Sequence, residues 1–94
     1  MATQQPIPQQ ITINTADEMS RGRFSNMMLV AHSPEEFVID WINNSPNGMH
    51  LVSRIIVTPG HMKRILAALS DNMNKYEETF GSVTAIDPSQ QKFN

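Results

Sequence analysis

Residues 51–59 read LVSRIIVTP, and this stretch decides the fold because it joins a strand to a helix. Side chains at odd and even positions of 51–57 alternate, and β-branched residues dominate the run, which predicts a strand. Thr58 is a favourable N-cap residue, and Pro59 suits the first helical position. The sequence therefore predicts that a strand ends and a helix begins at Thr58.

After Thr58 the apolar residues recur at helical spacing. They lie three, four, four, three and four residues apart and form one stripe of an amphipathic helix. The stripe consists of Met62, Ile65, Leu69, Met73, Tyr76 and Phe80. Leu66 widens the stripe, and Gly81 stands where a C-terminal glycine cap belongs. We expect one long C-terminal amphipathic helix packed on one face of the sheet.

Further strands are predicted upstream, at residues 11–13 and 24–32. Residues 34–43 leave two interpretations open. Ser33 and Glu36, with a proline between them, make a fair helix start, whereas the run FVIDWI is rich in β-branched and aromatic residues at hairpin spacing from the preceding strand. We favour the hairpin. Residues 43–48, NNSPNG, give the strongest turn signal in the chain.

The predicted fold class is therefore α+β, an antiparallel meander of three to four strands followed by the helix. Ninety-four residues allow a single domain, expected over 11–84, with flexible polar tails at 1–10 and 85–94. The chain has no cysteine and a net charge of −2. It shows no signal peptide and no apolar run that could span a bilayer, so we expect a cytoplasmic protein without a membrane partner.

The strands are apolar on both sides, although one helix can cover only one face of a sheet. A sheet with one face in water normally alternates apolar and polar residues. We therefore expect the second face to be buried against another copy, as a dimer or tetramer, or against another protein. The predicted interface residues are Phe24, Met28, Val30, Val52 and Ile56. The alternative is that the tails or the 43–50 loop fold back over that face.

Cations gather at the start of the predicted helix. A helix N-terminus offers free amides to an anion, so the sequence also predicts an anion site formed by Arg54, Gly60, His61, Lys63 and Arg64. A small nucleic-acid-binding or regulatory protein is the alternative function that follows. The interpretation that we favour for these cations is a solvated face on which they pair with Glu35, Glu36 or a neighbouring subunit.

No catalytic or metal-binding pattern stands out. The histidines at 32, 50 and 61 lack ligand spacing, and His32, Ser33 and Asp40 follow no known triad motif. We expect a protein that is not an enzyme and that carries no cofactor or metal.

A set of short motifs lies within about residues 9–84. The motifs are Phe24-Ser25-Asn26, His32-Ser33-Pro34, residues 36–40, residues 53–59, His61, residues 63–66, Leu69, Asp71-Asn72, Lys75-Tyr76-Glu77 and Phe80-Gly81. Together they resemble the prokaryotic domain-of-unknown-function family numbered 3467. The chain departs from that pattern at Gly60, where an acidic residue is expected, and in a shorter 43–50 turn. The resemblance implies a small prokaryotic or phage-type protein, and it supplies no activity or catalytic residues. A fainter similarity, in topology alone, links the chain to the export chaperone SecB, which implies assembly through sheet and helix contacts.

Overall fold

A computed structural model describes residues 11–85 and has three strands between a short and a long helix. The elements, in chain order, are α1 (Asp17–Ser20), β1 (Met27–His32), β2 (Phe37–Ser45), β3 (Gly48–Val57) and α2 (Pro59–Phe80). The strands form one antiparallel sheet in the order β1-β2-β3, so the predicted α+β meander with a C-terminal helix is confirmed. The tail predictions for residues 1–10, and for 85–94 from residue 86 onward, lie outside the described residues.

For residues 34–43 the hairpin interpretation is confirmed, because Phe37–Ser45 form β2, the central strand of the sheet. It pairs with β1 through rows such as Val30 with Ile39, and with β3 through Ile39 with Ile55. The Ser-Pro-Glu-Glu segment forms the turn between β1 and β2. The amide of Ser33 donates to the carbonyl of Glu36 at 2.9 Å, and the Ser33 hydroxyl accepts from the amide of Glu35 at 3.2 Å. The serine that resembled a helix cap instead stabilises a turn.

The turn within the NNSPNG segment is shorter than the sequence predicted. Strand pairing continues through Asn43 and Asn44, so only Pro46 and Asn47 lie between the two strands. Gly48 follows at a φ of 113°, a conformation that favours glycine. β3 therefore begins three residues earlier than the predicted strand at Leu51.

The predicted first strand at residues 11–13 is wrong. Those residues are exposed, and they pair with no strand of the described chain. A run of three residues offers too few ladder hydrogen bonds to offset the entropy of ordering it. Nearby, residues 17–20 form α1, a single turn that the sequence did not predict.

The strand predicted at 24–32 begins only at Met27, and side chains join the segment before it to β2. The Asn26 amide group donates to the carbonyl of Asn44 at 2.9 Å and accepts from its backbone N–H at 2.8 Å. The Ser25 hydroxyl donates to the carbonyl of Ile42 at 2.8 Å. The asparagine side chain thus takes the place of a backbone pair at the end of the ladder.

The caps of α2 agree with the sequence. Thr58 keeps an extended backbone, and its Oγ1 accepts from the amide of His61 at 3.2 Å. At the other end, Gly81 has a φ of 96°, and its N–H donates to the carbonyl of Glu77 at 2.9 Å.

The packing of α2 is less extensive than we expected. Met62 is buried and Ile65 half-buried, but the rest of the stripe, from Leu66 to Phe80, is 49–72% exposed. The physical reason is the joint to β3, because Thr58 is the only residue between strand and helix. A helix that returns over its sheet usually needs a loop of about two to six residues. The helix therefore packs on the rest of the chain only through its first turns.

We predict that Asn26→Ala lowers the free energy of unfolding by about 1 kcal/mol, because it removes two hydrogen bonds at an exposed strand end. Chemical denaturation of the two proteins at one protein concentration measures the difference. Asn74→Ala, on the exposed surface of α2, is the matched control and should change stability by less than about 0.5 kcal/mol. Equal losses in the two variants would contradict the role given to Asn26.

Candidate interaction surface

The register of the three strands defines two faces of the sheet. The front face consists of three rows across β1, β2 and β3, Met28-Trp41-Ser53, Val30-Ile39-Ile55 and His32-Phe37-Val57. The back face consists of the rows Met27-Ile42-Leu51, Leu29-Asp40-Arg54 and Ala31-Val38-Ile56. Both faces are therefore mainly apolar, as the sequence predicted.

Neither face is closed by the described chain. On the front face Ile39 is buried, but Met28, Val30 and Ile55 are 45–47% exposed. On the back face Ile42 is buried, while Leu29, Leu51 and Ile56 are 52–57% exposed. Ile39, Ile42 and Met62 are the only buried apolar residues of residues 11–85, and no side chain there is completely enclosed. This is a small core for a domain of this length.

The five predicted interface residues do not share one face. Met28 and Val30 lie on the front face, and Ile56 lies on the back face opposite Val38. Phe24 is exposed in the segment before β1. Val52 occupies an irregular position between the rows, because Trp41 pairs with Ser53 whereas the next residue pairs with Leu51. All five remain predicted interface residues, but they form at least two separate surfaces.

A groove lies at the Trp41 end of the front face and was not predicted from the sequence. It has a volume of about 600 Å³ and is bordered by Trp41 and Ser53 of the sheet and by Met19 and Arg23 of the chain around α1. Val52 borders the same groove, since the extra residue of a β-bulge changes the direction of the neighbouring side chains. The position of Val52 beside the groove follows from the pairing register of the strands and cannot be derived from the sequence of β3 alone.

An ion pair crosses the back face between β2 and β3. The Nε atom of Arg54 lies 2.7 Å from Oδ1 of Asp40, and Nη2 lies 2.9 Å from Oδ2. These two hydrogen bonds and the positive charge hold the pKa of Asp40 below its usual value, although desolvation acts in the opposite direction. The same contacts raise the pKa of Arg54. The pair was not predicted from the sequence, because its two residues are fourteen positions apart and meet only through the strand register.

This ion pair also changes the predicted anion site. Arg54 is already occupied by a carboxylate, and the amide of His61 is satisfied by Thr58. Lys63 and Arg64 remain exposed in the first turns of α2. An anion site formed by all five predicted residues stays a prediction, with Arg54 available only if it leaves Asp40.

Two other structural facts concern residues 11–85. No three histidine, aspartate or glutamate side chains come together there in a way that could hold a metal ion. No helix within that range has the length and apolarity needed to cross a membrane.

Sequence comparison places the chain in a family. The profile described as "Protein of unknown function (DUF3467)" matches residues 1–85. The chain belongs to this family. The resemblance drawn from the motifs is thereby confirmed, and the family description assigns no activity. No curated protein and no solved structure gives a significant match, so the fainter similarity to SecB stays a prediction.

We predict that Asp40→Asn destabilises the fold at about pH 7 and that its effect fades in acid. A carboxyl whose pKa is lowered on folding stabilises the protein above its ordinary pKa of 3.8 and loses that contribution as the pH falls through the lowered value. Denaturation curves of both proteins from about pH 7 down to about pH 2 should therefore converge.

Asp71→Asn is the matched control. Asp71 also faces a cation, with its Oδ2 3.0 Å from Nζ of Lys75, but both side chains are well exposed on α2. We expect this variant to differ little from the wild type, since exposed helix pairs contribute about 0.3–0.5 kcal/mol. A gap between Asp40→Asn and wild type that stays constant with pH would contradict the proposed role of the Asp40 charge.

Proposed function

We propose that this protein is a non-enzymatic module that associates with copies of itself and completes its core in doing so. The observation that carries the proposal is the exposure of apolar side chains on both faces of one sheet. Six large apolar residues are each about half exposed there, Met28, Val30, Ile55, Leu29, Leu51 and Ile56.

The free energy at stake is large for so small a chain. Burying one large apolar side chain completely contributes ~1.5–3 kcal/mol, so six half-exposed ones leave on the order of 5 kcal/mol unused. That is comparable with the whole net stability of a typical domain, about 5–15 kcal/mol. Association that covers even one face would therefore change the stability of the protein substantially.

One alternative for covering the sheet is removed by the fold. Residues 43–50 belong to the β2–β3 hairpin and are paired across it, so they cannot fold back over a face. The tails remain as the other intramolecular candidate.

A second copy is the partner that the exposed backbone favours. Within residues 11–85, β1 and β3 are each paired along one side only. An edge strand presents unpaired N–H and C=O groups, and a strand of another copy can satisfy them. The unpaired strand edges and the apolar faces belong to the same three strands, so a second copy can contact an edge and a face of the sheet together. By comparison, the nucleic-acid hypothesis loses support because Arg54 is held by Asp40 and the net charge is −2.

We predict that the full chain forms a dimer or a larger assembly at micromolar concentration, measured by size-exclusion chromatography with multi-angle light scattering. Val30→Lys and Leu29→Lys form a matched pair, because these neighbours on β1 lie on opposite faces with similar exposure. A charge on the buried side of an interface must be desolvated, so the variant on the face used for association should lower the mass.

The other outcomes separate the alternatives. A wild-type monomer at about 100 μM, well above ordinary specific dissociation constants, would overturn self-association. In that case binding of an apolar dye would show a face open to a foreign apolar segment, as an adaptor or chaperone-like protein requires. A monomer that binds no dye would show that the tails cover the sheet.

A further inference from the structure

The exposed stripe of α2 has a regular repeat that its own sheet does not use. When Leu66 is counted in place of the half-buried Ile65, the stripe residues are spaced four, three, four, three and four apart, which is the heptad pattern of helices that pair with other helices. These residues are Met62, Leu66, Leu69, Met73, Tyr76 and Phe80. The rings of Tyr76 and Phe80 lie 4.9 Å apart, which places them side by side on this stripe. Only Met62 is buried, so Leu66 to Phe80 form the part open to a partner.

Charges follow the stripe along one flank. Lys63, Ser70 and Glu77 lie seven residues apart, and each directly follows a stripe residue. The flank is therefore basic near the helix N-terminus, neutral at its centre and acidic near the C-terminus. In an isolated helix this order is unfavourable, because the macrodipole prefers anions at the N-terminus and cations at the C-terminus.

We propose that α2 pairs antiparallel with α2 of a second copy, about a twofold axis near the middle of the helix. Lys63 and Glu77 lie equally far from Ser70, so this arrangement sets Lys63 beside Glu77 of the partner subunit at both ends of the pair. In the centre, Leu69 packs against Met73 of the partner subunit, and Leu66 packs against Tyr76 of the partner subunit. The proposal rests on the self-association proposed above and adds a contact between helices to the contact proposed for the sheets.

A parallel pair does not satisfy the same charges. In a parallel coiled coil, position e of one helix faces position g of the preceding heptad in the other helix, which lies five residues earlier in the sequence. Glu77 would then face Asn72, and Ser70 would face Ile65. Two equally charged helix ends would also lie together. The antiparallel pair brings unlike charges together and puts each N-terminus beside a C-terminus, so it relieves the unfavourable order of charges.

The side chains are available for this contact. Lys63 is exposed and forms no ion pair within residues 11–85. Glu77 is half-buried, and its Oε2 accepts from the backbone N–H of Val83 at 2.8 Å. Its second carboxylate oxygen can accept from a lysine, and the bond to Val83 fixes the carboxylate on the flank.

A charge-exchange experiment tests the proposal. We expect Lys63→Glu and Glu77→Lys each to weaken self-association about tenfold, because two attractive pairs become repulsive in each homodimer. Mixing the two variants in equal amounts should restore association, since every pair in the mixed dimer joins opposite charges. Sedimentation equilibrium of each variant and of the mixture measures this. Lys75→Glu makes the same charge change on the outer side of the helix and should leave association unchanged.

Cysteine cross-linking tests the direction independently of charge. The chain has no cysteine, so each introduced thiol is the only one in its chain. Lys63→Cys mixed with a tagged Glu77→Cys chain should form mainly the mixed disulfide under mild oxidation, and Ser70→Cys should cross-link with itself. Asp71→Cys, on the outer side, is the control and should remain reduced.

The results distinguish this inference from the proposed function. Preferential homodimers of Lys63→Cys would overturn the antiparallel direction. An assembly that persists in both charge variants and gives no cross-link at positions 63, 70 or 77 would overturn helix pairing while leaving association through the sheet intact. A monomeric wild-type chain would overturn both proposals.

Discussion

The exposed surfaces of this protein originate at the joint between β3 and α2. Thr58 retains the extended backbone of the strand, with ψ at 158°, and its hydroxyl accepts a hydrogen bond from the amide of His61 in the first turn of the helix. Pro59 follows with a fixed φ and no N–H to satisfy. No loop is available in which the chain could reverse, and the helix, about 33 Å long, leaves the sheet after its first turns. A sheet with both faces partly exposed and a helix exposed along its stripe are two results of the same short connection.

The sheet remains ordered without that cover because β2 lies between two partners. Residues 37–42 of β2 are paired on both sides, and the only charged residue of the strand, Asp40, is neutralised by Arg54 across the back face. An ion pair between neighbouring strands also disfavours a shifted register, because a slip by one residue would send the two side chains to opposite faces. In a sheet whose rows are otherwise apolar, such a polar contact distinguishes the native pairing from similar apolar alternatives.

The sequence was informative where a local rule applied. The period of the apolar residues, Thr58 and Gly81 predicted α2 and its two ends, and the alternation at 51–57 predicted most of β3. It was less informative where the outcome depends on another part of the chain. Asp40 and Arg54 meet only because of the register, and Val52 leaves the alternation only because β3 has one residue more than β2 opposite it. Strand periodicity likewise indicates which residues of one strand share a face, but not which faces of two strands coincide, so it could not show that Val30 and Ile56 lie on opposite faces.

In the proposed assembly the helix and the sheet use different partner surfaces, and this determines how many copies the assembly would contain. An antiparallel helix pair covers the stripe from Leu66 to Phe80 but leaves the front and back faces of each sheet as they are. The twofold axis lies near the middle of α2, whereas the sheets join the helices at their N-termini, so the two sheets stand at opposite ends of the pair. They are then too far apart to cover each other, because their separation is close to the helix length of about 33 Å. Helix pairing alone thus satisfies the charges of α2 and leaves the apolar sheets to a second contact, and copies that use both contacts build a dimer of dimers rather than a simple dimer.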